Sequence, residues 1–221
     1  MPTMYEFIME LPLFKGLSKE NVSLFLEKTS IGFNNFKNDE IIIAEGEQVK
    51  TLKFLINGNI KLIYDIEKID LRIEETLLPG ATLGVDRLFG FHTQCPYTAI
   101  SVGNSSIMEF SKEQYMNLLN SDRIYLLNFF NFISLGSQKS VDSALLYSAP
   151  DFKTRLQLLL NLLTTRKTAE VEIIGKLPAL LNFSRMSQKE FFSWVQENEM
   201  SGMIKYHEGS LKILSVSDFL S

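Results

Sequence analysis

The chain has 221 residues, of which 45% are hydrophobic and 22% charged, and its formal net charge is −4. This ordinary globular composition supplies enough apolar residues for one large domain or two modest ones. The single Cys excludes an internal disulfide and any Cys-only metal or iron–sulfur site within the chain. No apolar run reaches the roughly 20 residues that span a bilayer, and the N-terminus lacks a basic segment followed by an apolar run. We therefore expect a cytoplasmic protein with no membrane partner.

The first 110 residues predict two short helices followed by a series of short strands. Ser18 is placed to cap a helix, with Glu20 in its first turn. Turn residues rich in Gly, Asn and Pro separate the strands that follow, which are predicted at 41–43, 52–56, 60–64, 71–78, 97–102 and 107–110. Strands at this spacing favour a small antiparallel barrel or sandwich.

Residues 123–147 predict one long helix, since they contain no Pro and only one Gly. One row of side chains recurs at intervals of four and three residues: Phe130, Ser134, Ser137, Val141, Ala144 and Ser148. This rhythm is typical of a helix that lies along a second helix, so the pattern predicts a dimerisation helix. A second row, comprising Leu126, Phe129 and Ile133, is expected to pack on the chain's own N-terminal half. An ordinary buried helix with a polar tail would produce the same pattern.

A break at 148–151 starts the C-terminal part of the chain. Pro150 disfavours helix in the residue before it, and Asp151 is a good N-cap for the Leu-rich helix that follows. A polar turn and a short strand at 171–174 come next. Residues 151–221 carry nine Lys and Arg against eight Asp and Glu, which is a weak basic balance for a segment that would bind nucleic acid.

The order of these parts, together with three local motifs, resembles the Crp/Fnr family of transcription regulators. The motifs are Glu45-Gly46-Glu47, the strand–Gly–strand run from Phe54 to Leu62, and the loop Leu78-Pro79-Gly80-Ala81-Thr82-Leu83-Gly84. The resemblance implies an α+β fold in three parts: a cyclic-nucleotide-binding-like antiparallel β-barrel (1–120), a dimerisation helix (121–149) and a C-terminal winged helix-turn-helix domain (150–221). It implies a homodimeric regulator that binds double-stranded DNA.

The loop around Gly84 is where the resemblance places the effector. In cyclic-nucleotide-binding relatives a Glu in this loop takes the ribose hydroxyl and an Arg neutralises the phosphate; Val85 and Tyr97 stand at those positions here. Losing both removes charge-assisted hydrogen bonds worth about 1.5–3 kcal/mol each. We therefore expect an unidentified small effector other than cyclic AMP. Its pocket is predicted to be lined by Leu83, Gly84, Val85, Arg87, Leu88, Tyr97 and Thr98. The alternative is a closed pocket that binds no effector.

The last twenty residues resemble the hairpin wing of a winged helix-turn-helix. Counting back from Gly202 at the spacing that the resemblance implies makes Ser187 the N-cap of a recognition helix that ends near 198, with Phe191, Val195 and Trp194 facing the core. The preceding helix would hold Pro178 in its first turn. The predicted DNA-contacting residues are Arg185, Ser187, Gln188, Lys189, Ser193 and Gln196.

Three departures from the family pattern accompany this assignment. Arg185 occupies a turn position where the family usually has Gly, and Phe192 occupies a position that is usually small and polar. The leading base-contact position also lacks the Arg that the resemblance would place there. An alternative register would start the recognition helix at Ser184-Arg185, but it needs three extra residues before Gly202.

Other functions remain as alternatives. Haem-binding relatives use a His or Cys near the effector loop, where this chain has His92 and Cys95, so a haem or redox sensor is one alternative; we expect instead a surface His and a half-buried thiol. A family-derived module that binds a protein and has lost DNA is another. The sequence contains no nucleophile with a matched base, no His/Cys set at metal-ligand spacing and no phosphate-binding loop followed by Lys. We predict neither an enzyme nor a metal site.

Overall fold

The computed structural model describes residues 4–144, 148–163, 165 and 167–220. The fold is α+β, and the chain divides into two units. The first unit consists of Met1–Ile60, Leu78–Pro96 and Ile100–Gln138, and the second of Lys61–Leu77, Tyr97–Ala99 and Lys139–Ser221. The division into parts at residues 120 and 150 stays a prediction. Among the residues that the structure describes, no helix is long and apolar enough to cross a membrane.

In the described part of the first unit, short and long strands occur together with helices. Its helices are α1 (Met4–Glu10), α2 (Lys19–Lys28), α3 (Lys112–Ser121) and the first part of α4 (Arg123–Ala144), with a 3-10 turn at Pro12–Phe14. Its strands are β1 (Gly32–Phe36), β2 (Ile41–Ile43), the first part of β3 (Thr51–Ile66), β5 (Thr82–Leu83) and most of β6 (Thr98–Ser111). The Ser18 hydroxyl accepts a hydrogen bond from the Asn21 backbone N–H at 3.1 Å, which confirms the predicted cap of α2.

An aromatic cluster forms the centre of the first unit. Strand β6 pairs with β1 and β2, and β3 pairs with β5. Ring centroids 5.2–6.4 Å apart connect Phe14, Phe25, Phe54, Phe110 and Tyr125. Because each of these side chains is at most 8% exposed, the cluster excludes water from the interior of the unit.

Two predicted turns are wrong, because the strands run through them. Strand β3 is continuous across Asn57-Gly58-Asn59, and β6 is continuous across Gly103-Asn104. Gly58 has a φ of +80°, and a Cβ at this position would clash with the carbonyl oxygen of Asn104. The glycine therefore permits a kink and a close approach within a long strand rather than ending it. Strand β1 was not predicted, since its sequence GFNNF has little apolar character.

The second unit is a sheet covered by helices. Its remaining strands are β4 (Leu71–Leu77), β7 (Thr168–Gly175), β8 (Ile204–His207) and β9 (Ser210–Ile213), and the strand order is β3-β4-β7-β9-β8. Its helices are the end of α4, α5 (Phe152–Leu163), α6 (Leu177–Ser184), α7 (Gln188–Met200) and α8 (Val216–Leu220). Asp151 Oδ1 accepts the Thr154 backbone N–H at 2.8 Å, which confirms the predicted cap of α5 and lowers the pKa of Asp151.

The strand β4 contributes to the core of this unit although it is distant in sequence from the other members. It pairs antiparallel with β7 from Leu71, opposite Gly175, to Leu77, opposite Thr168. Leu71 and Ile73 are 4% and 2% exposed and join one hydrophobic cluster with Val171 and other residues of the C-terminal segment. The C-terminal core is therefore completed by a strand from the first half of the chain.

Candidate functional site

Helices α6 and α7 are separated by a short turn that contains a residue in the left-handed conformation. Arg185 has a φ of +57° and a ψ of +34°, and its backbone N–H donates to the Asn182 carbonyl. The strain expected from a non-Gly residue at this position is therefore present. Pro178 lies in the first turn of α6, as predicted.

The start of α7 is fixed by a reciprocal capping box. The Ser187 hydroxyl accepts from the Glu190 backbone N–H at 3.4 Å, and the Glu190 carboxylate accepts from the Ser187 backbone N–H at 2.9 Å. The hydrogen bonds with Ser187 lower the pKa of Glu190. The predicted N-cap is confirmed, and the alternative register that starts at Ser184-Arg185 is wrong, because Ser184 ends α6.

The two sides of α7 differ sharply in burial. Phe191 and Val195 are 0% and 4% exposed, and the Trp194 ring lies 4.7 Å from that of Phe152, so the predicted core-facing side is confirmed. The other side carries the predicted DNA-contacting residues of the helix, all of which are exposed: Gln188, Lys189, Ser193 and Gln196. Arg185 is exposed in the turn just before. The structure thus brings these five side chains to one helix and the turn that leads into it.

Arg155 of α5 holds the end of α6 in place. Its Nη1 donates to the carbonyls of Phe183 at 2.9 Å and Ser184 at 3.0 Å, and its Nη2 donates to the Ala149 carbonyl at 3.4 Å. Burial and, to a lesser extent, the charge of Arg185 lower the pKa of Arg155. In the sequence, Arg155 can be recognised as an Arg at the start of a Leu-rich helix. Its partners are backbone carbonyls, however, which a sequence does not reveal.

A hairpin follows α7 and contacts its exposed side. Strands β8 and β9 pair from Ile204, opposite Ile213, to His207, opposite Ser210. The Tyr206 ring lies 5.9 Å from that of Phe192, and the Tyr206 backbone N–H donates to Glu199 Oε1 at 2.7 Å. Lys205, next to Tyr206, is exposed and offers a cation that the sequence analysis did not include.

The long helix α4 exposes an apolar face. Phe130 and Val141 are 55% and 69% exposed, and Ser134 and Ser137 between them are exposed as well. The backbone of α4 extends through Ala144 and does not include Ser148, the last residue of the predicted seam. The side chain of Ala144 and residues 145–147 of the predicted helix lie outside what the structure describes.

The prediction for the second row of α4 is only partly right. Phe129 packs against Phe89 and Tyr115, with ring centroids 5.4 and 5.9 Å away. Leu126 and Ile133, however, are 37% and 38% exposed, so the expectation that they pack on the N-terminal half is wrong. Tyr125, at 1% exposure, is the residue that α4 buries there, because it points into the aromatic cluster.

The predicted effector loop follows β5 in the first unit. Leu83, Val85 and Leu88 are 4%, 2% and 1% exposed, so their side chains belong to the interior. Gly84 has a φ of +84°, and a Cβ there would lie 2.8 Å from Val49 Cγ1. The loop continues as a turn rather than a helix. Arg87 Nε forms an ion pair with Asp86 Oδ2 at 3.1 Å, so its charge is already compensated by a neighbour.

The other predicted pocket residues, Tyr97 and Thr98, and the redox candidates, His92 and Cys95, follow this loop in the sequence. Tyr97 and Thr98 belong to the second unit, where the Tyr97 ring packs edge-on against Tyr64 at 5.3 Å. His92 is exposed, as expected. Cys95 is 2% exposed, so the expectation of a half-buried thiol is wrong. Among the described residues, no group of three or more His, Cys, Asp or Glu is placed to hold a metal ion.

Three comparisons with known proteins bear on the chain. The family described as the cyclic nucleotide-binding domain matches residues 33–122. No curated protein matches the chain. The match to the cyclic nucleotide-binding domain covers β1 to β6 and α3, so it includes the loop with Gly84 but not α6, α7 or the hairpin after them.

Several solved structures are similar to the chain. The sensor domain of the transcriptional regulator DNR from Pseudomonas aeruginosa is 20% identical over 59% of this chain and 90% of that chain, with a TM-score of 0.48. A transcriptional regulator from Thermotoga maritima is 20% identical over 56% and 95% respectively, with a TM-score of 0.48. The catabolite activator protein of Thermus thermophilus is 16% identical over 94% and 96%, with a TM-score of 0.47. Residues 33–122 of this chain are therefore similar to the cyclic nucleotide-binding domain family.

Proposed function

We propose that the protein is a homodimeric, DNA-binding transcription regulator of the Crp/Fnr type, controlled by a small effector other than cyclic AMP, and that it is not an enzyme. The observation that carries the proposal is the two-sided helix α7. Its inner side is fixed by Phe191 and Val195, and its outer side presents Gln188 and Lys189 in the first turn. In a winged helix-turn-helix, a helix in this position enters the major groove with its N-terminal residues against the base edges.

The chemistry of the exposed side chains suits this role. Gln188 and Gln196 each offer an amide that can pair bidentately with adenine, and Lys189 can reach guanine or a phosphate. Ser193 and Ser187 can contact phosphates, and the Arg185 cation at the head of the helix favours the backbone as well. The turn geometry at Arg185 supports the same assignment, because Arg155 anchors the carbonyls of Phe183 and Ser184 immediately before it.

The apolar face of α4 supports the homodimer. A row that includes Phe130 and Val141, more than half exposed, leaves apolar area in water that a second copy of the same helix would cover. Paired copies would present two α7 helices to two half-sites about 34 Å apart. Effector binding would change the relative populations of DNA-competent and DNA-incompetent arrangements of the pair.

The loop after β5 supports the exclusion of cyclic AMP. Val85 is buried and apolar where a ribose-binding carboxylate would stand, and Arg87 is paired with Asp86. A cyclic nucleotide bound at Gly84 would therefore lack a free cation from Arg87 for its phosphate and a carboxylate partner for its ribose. Mass spectrometry of the native dimer with any co-purified ligand tests this part, and a retained cyclic nucleotide or haem would contradict it.

A gel-shift assay with the DNA upstream of the protein's own gene tests the proposed function. We expect a discrete shift that weakens at raised salt, because phosphate contacts release counterions. The double variant Gln188→Ala, Lys189→Ala should abolish specific binding while it remains dimeric, since both side chains are exposed and carry little of the packing. The matched control is Lys15→Ala, an exposed cation of the first unit, which should shift DNA as the wild type does. A dimer that shifts no DNA under any condition would favour the protein-binding alternative.

A further inference from the structure

We propose that Phe192 recognises the C5 methyl group of thymine in the major groove. The half-site read by this chain is therefore rich in A·T pairs. The inference rests on the proposed function, because it assigns a base-reading role to one side chain of α7. It goes beyond that function by naming the chemical group that is read.

The position of Phe192 on α7 places it among the polar residues of the outer side. The helix repeats every 3.6 residues, so residues four apart form a stripe along it. Gln188, Phe192 and Gln196 form such a stripe, and Phe192 is 39% exposed. A large apolar side chain with this exposure thus lies between two amides on the helix proposed to enter the groove.

Aromatic neighbours hold the Phe192 ring in place. Its centroid lies 5.7 Å from that of Phe191, which is fully buried, and 5.9 Å from that of Tyr206 in the hairpin, both at steep interplanar angles. Phe191 and Tyr206 are also in edge contact, at 5.7 Å. The three rings support one another, so the free edge of Phe192 is presented to solvent in a defined orientation. Ordering this side chain on binding would cost little entropy.

The chemistry of the major groove gives this arrangement one suitable ligand. Among the four bases only thymine presents a methyl group there, and a Phe side chain contacts it by apolar packing. Gln188 and Gln196 on either side pair best with adenine. An apolar ring set between two amides therefore matches neighbouring A·T pairs better than G·C pairs, whose major-groove edges carry no methyl group. The same methyl group is present in 5-methylcytosine, so the experiment includes both sources.

The test uses the purified full-length protein and a library of random DNA duplexes. After sequences that bind are enriched, the best duplex is resynthesised with each thymine replaced in turn by uracil, which removes the methyl group and keeps every hydrogen bond. We expect wild-type affinity to fall about fourfold for each contacted methyl, the effect of exposing one buried methyl group. Phe192→Ala should bind the thymine and uracil duplexes equally. Phe192→Leu, which keeps an apolar side chain, should retain part of the discrimination.

The controls separate loss of recognition from loss of folding. Leu214→Ala removes an apolar side chain of similar exposure (44%) outside α7 and should discriminate as the wild type does. The fluorescence of Trp194, the only Trp of the chain, reports whether each variant is folded. The uracil substitutions on the wild-type protein need no variant at all.

Three outcomes would overturn the inference. If the wild type binds a specific duplex but every uracil substitution is without effect, Phe192 reads no thymine methyl and the proposed function stands. If affinity rises only when cytosines of the duplex are methylated at C5, and Phe192→Ala abolishes that gain, the source is 5-methylcytosine rather than thymine. If no duplex is enriched, both this inference and the proposed function fail.

Discussion

At the scale of single residues, the second unit contains a carboxyl group in an unusual environment. Glu75 of β4 is 1% exposed, and the Thr168 hydroxyl donates to its Oε1 at 2.5 Å. Burial raises the pKa of Glu75 to about 7, although the Thr168 hydrogen bond and the charge of Lys139 act in the opposite direction. Burial also lowers the pKa of Lys139. Desolvation thus favours the neutral form of both groups.

The pH dependence of stability should reveal the protonated Glu75. The pKa in the folded chain lies above the unfolded value of 4.5, so the folded state binds the extra proton between these pH values. The free energy of unfolding should therefore fall as pH rises from about 4.5 to about 7, by up to about 3 kcal/mol from this group. Urea unfolding followed by Trp194 fluorescence across this range measures it.

The matched variants isolate this group. Glu75→Gln keeps the hydrogen-bonding side chain but cannot ionise, so the slope it contributes should disappear. Glu74→Gln changes a neighbour whose carboxylate is paired with Lys61 at 2.7 Å, and it should leave that slope in place. An unaltered slope in Glu75→Gln would show that the carboxyl group is not the origin.

At the scale of elements, the pairing of β4 with β7 gives the C-terminal core a member from the first half of the chain. Ile73 lies opposite Ile173, and both side chains are at most 2% exposed. Leu71 lies against Gly175, where a Cβ would clash with its Cδ2. The seven residues of β4 therefore cover a strand edge of β7 that would otherwise present unpaired backbone groups.

Truncation of Ile73 should destabilise the C-terminal core, although Ile73 lies nearly one hundred residues before its partner strand β7 in the sequence. We expect Ile73→Ala to lower the free energy of unfolding by about 2–5 kcal/mol, because it removes buried methyl groups and leaves a cavity. The measurement is the urea midpoint of Trp194 fluorescence. The control is Ile69→Ala, since Ile69 lies in the 3-10 turn Glu67–Ile69 just before β4, is 38% exposed and should shift the midpoint little. Equal midpoints for Ile73→Ala and the wild type would mean that β4 does not stabilise this core in solution.

At the scale of the whole molecule, α4 exposes an apolar face to solvent, which the packing of a monomer does not explain. The apolar side chains at 130 and 141 stand in water, while Tyr125 and Phe129 of the same helix pack into the first unit. A helix with one side packed internally and an opposite apolar side free is suited to pairing with a second copy.

A charge in the seam of α4 should separate the dimer. We expect Val141→Glu to convert a dimer of the 25.3 kDa chain to a monomer at micromolar concentration, because pairing would bury two like charges. Light scattering with size-exclusion chromatography gives the mass directly. Leu135→Glu places the same charge at a position that is 52% exposed and lies outside the seam rows, and it should remain dimeric. A wild-type protein that is itself monomeric under these conditions would contradict the proposed assembly.

The local elements of this protein were predictable because short-range chemistry specifies them. Ser18, Asp151 and Ser187 cap helices through their own side chains, and the apolar spacing of Phe191 and Val195 identifies the inner side of α7. Most strands were found, but β1 was missed and two were divided at glycines, because a positive φ permits a kink in a strand as readily as a turn. The exposure of Leu126 and Ile133 was missed, since helical spacing identifies a row but not which partner covers it.

By itself, the sequence determined the order of helices and strands, the capped start of α7 and the polar composition of its outer side, all of which depend on residues within a few positions of one another. Only the tertiary structure decided that β4 pairs with β7, that Glu75 is buried beside Thr168, and that the rings of Phe191, Phe192 and Tyr206 meet. The first two contacts join segments far apart in the chain, and the third joins α7 to the hairpin that follows it. Which strand edges pair and which side chains lose water depend on the packing of the whole unit, and no local pattern encodes that choice.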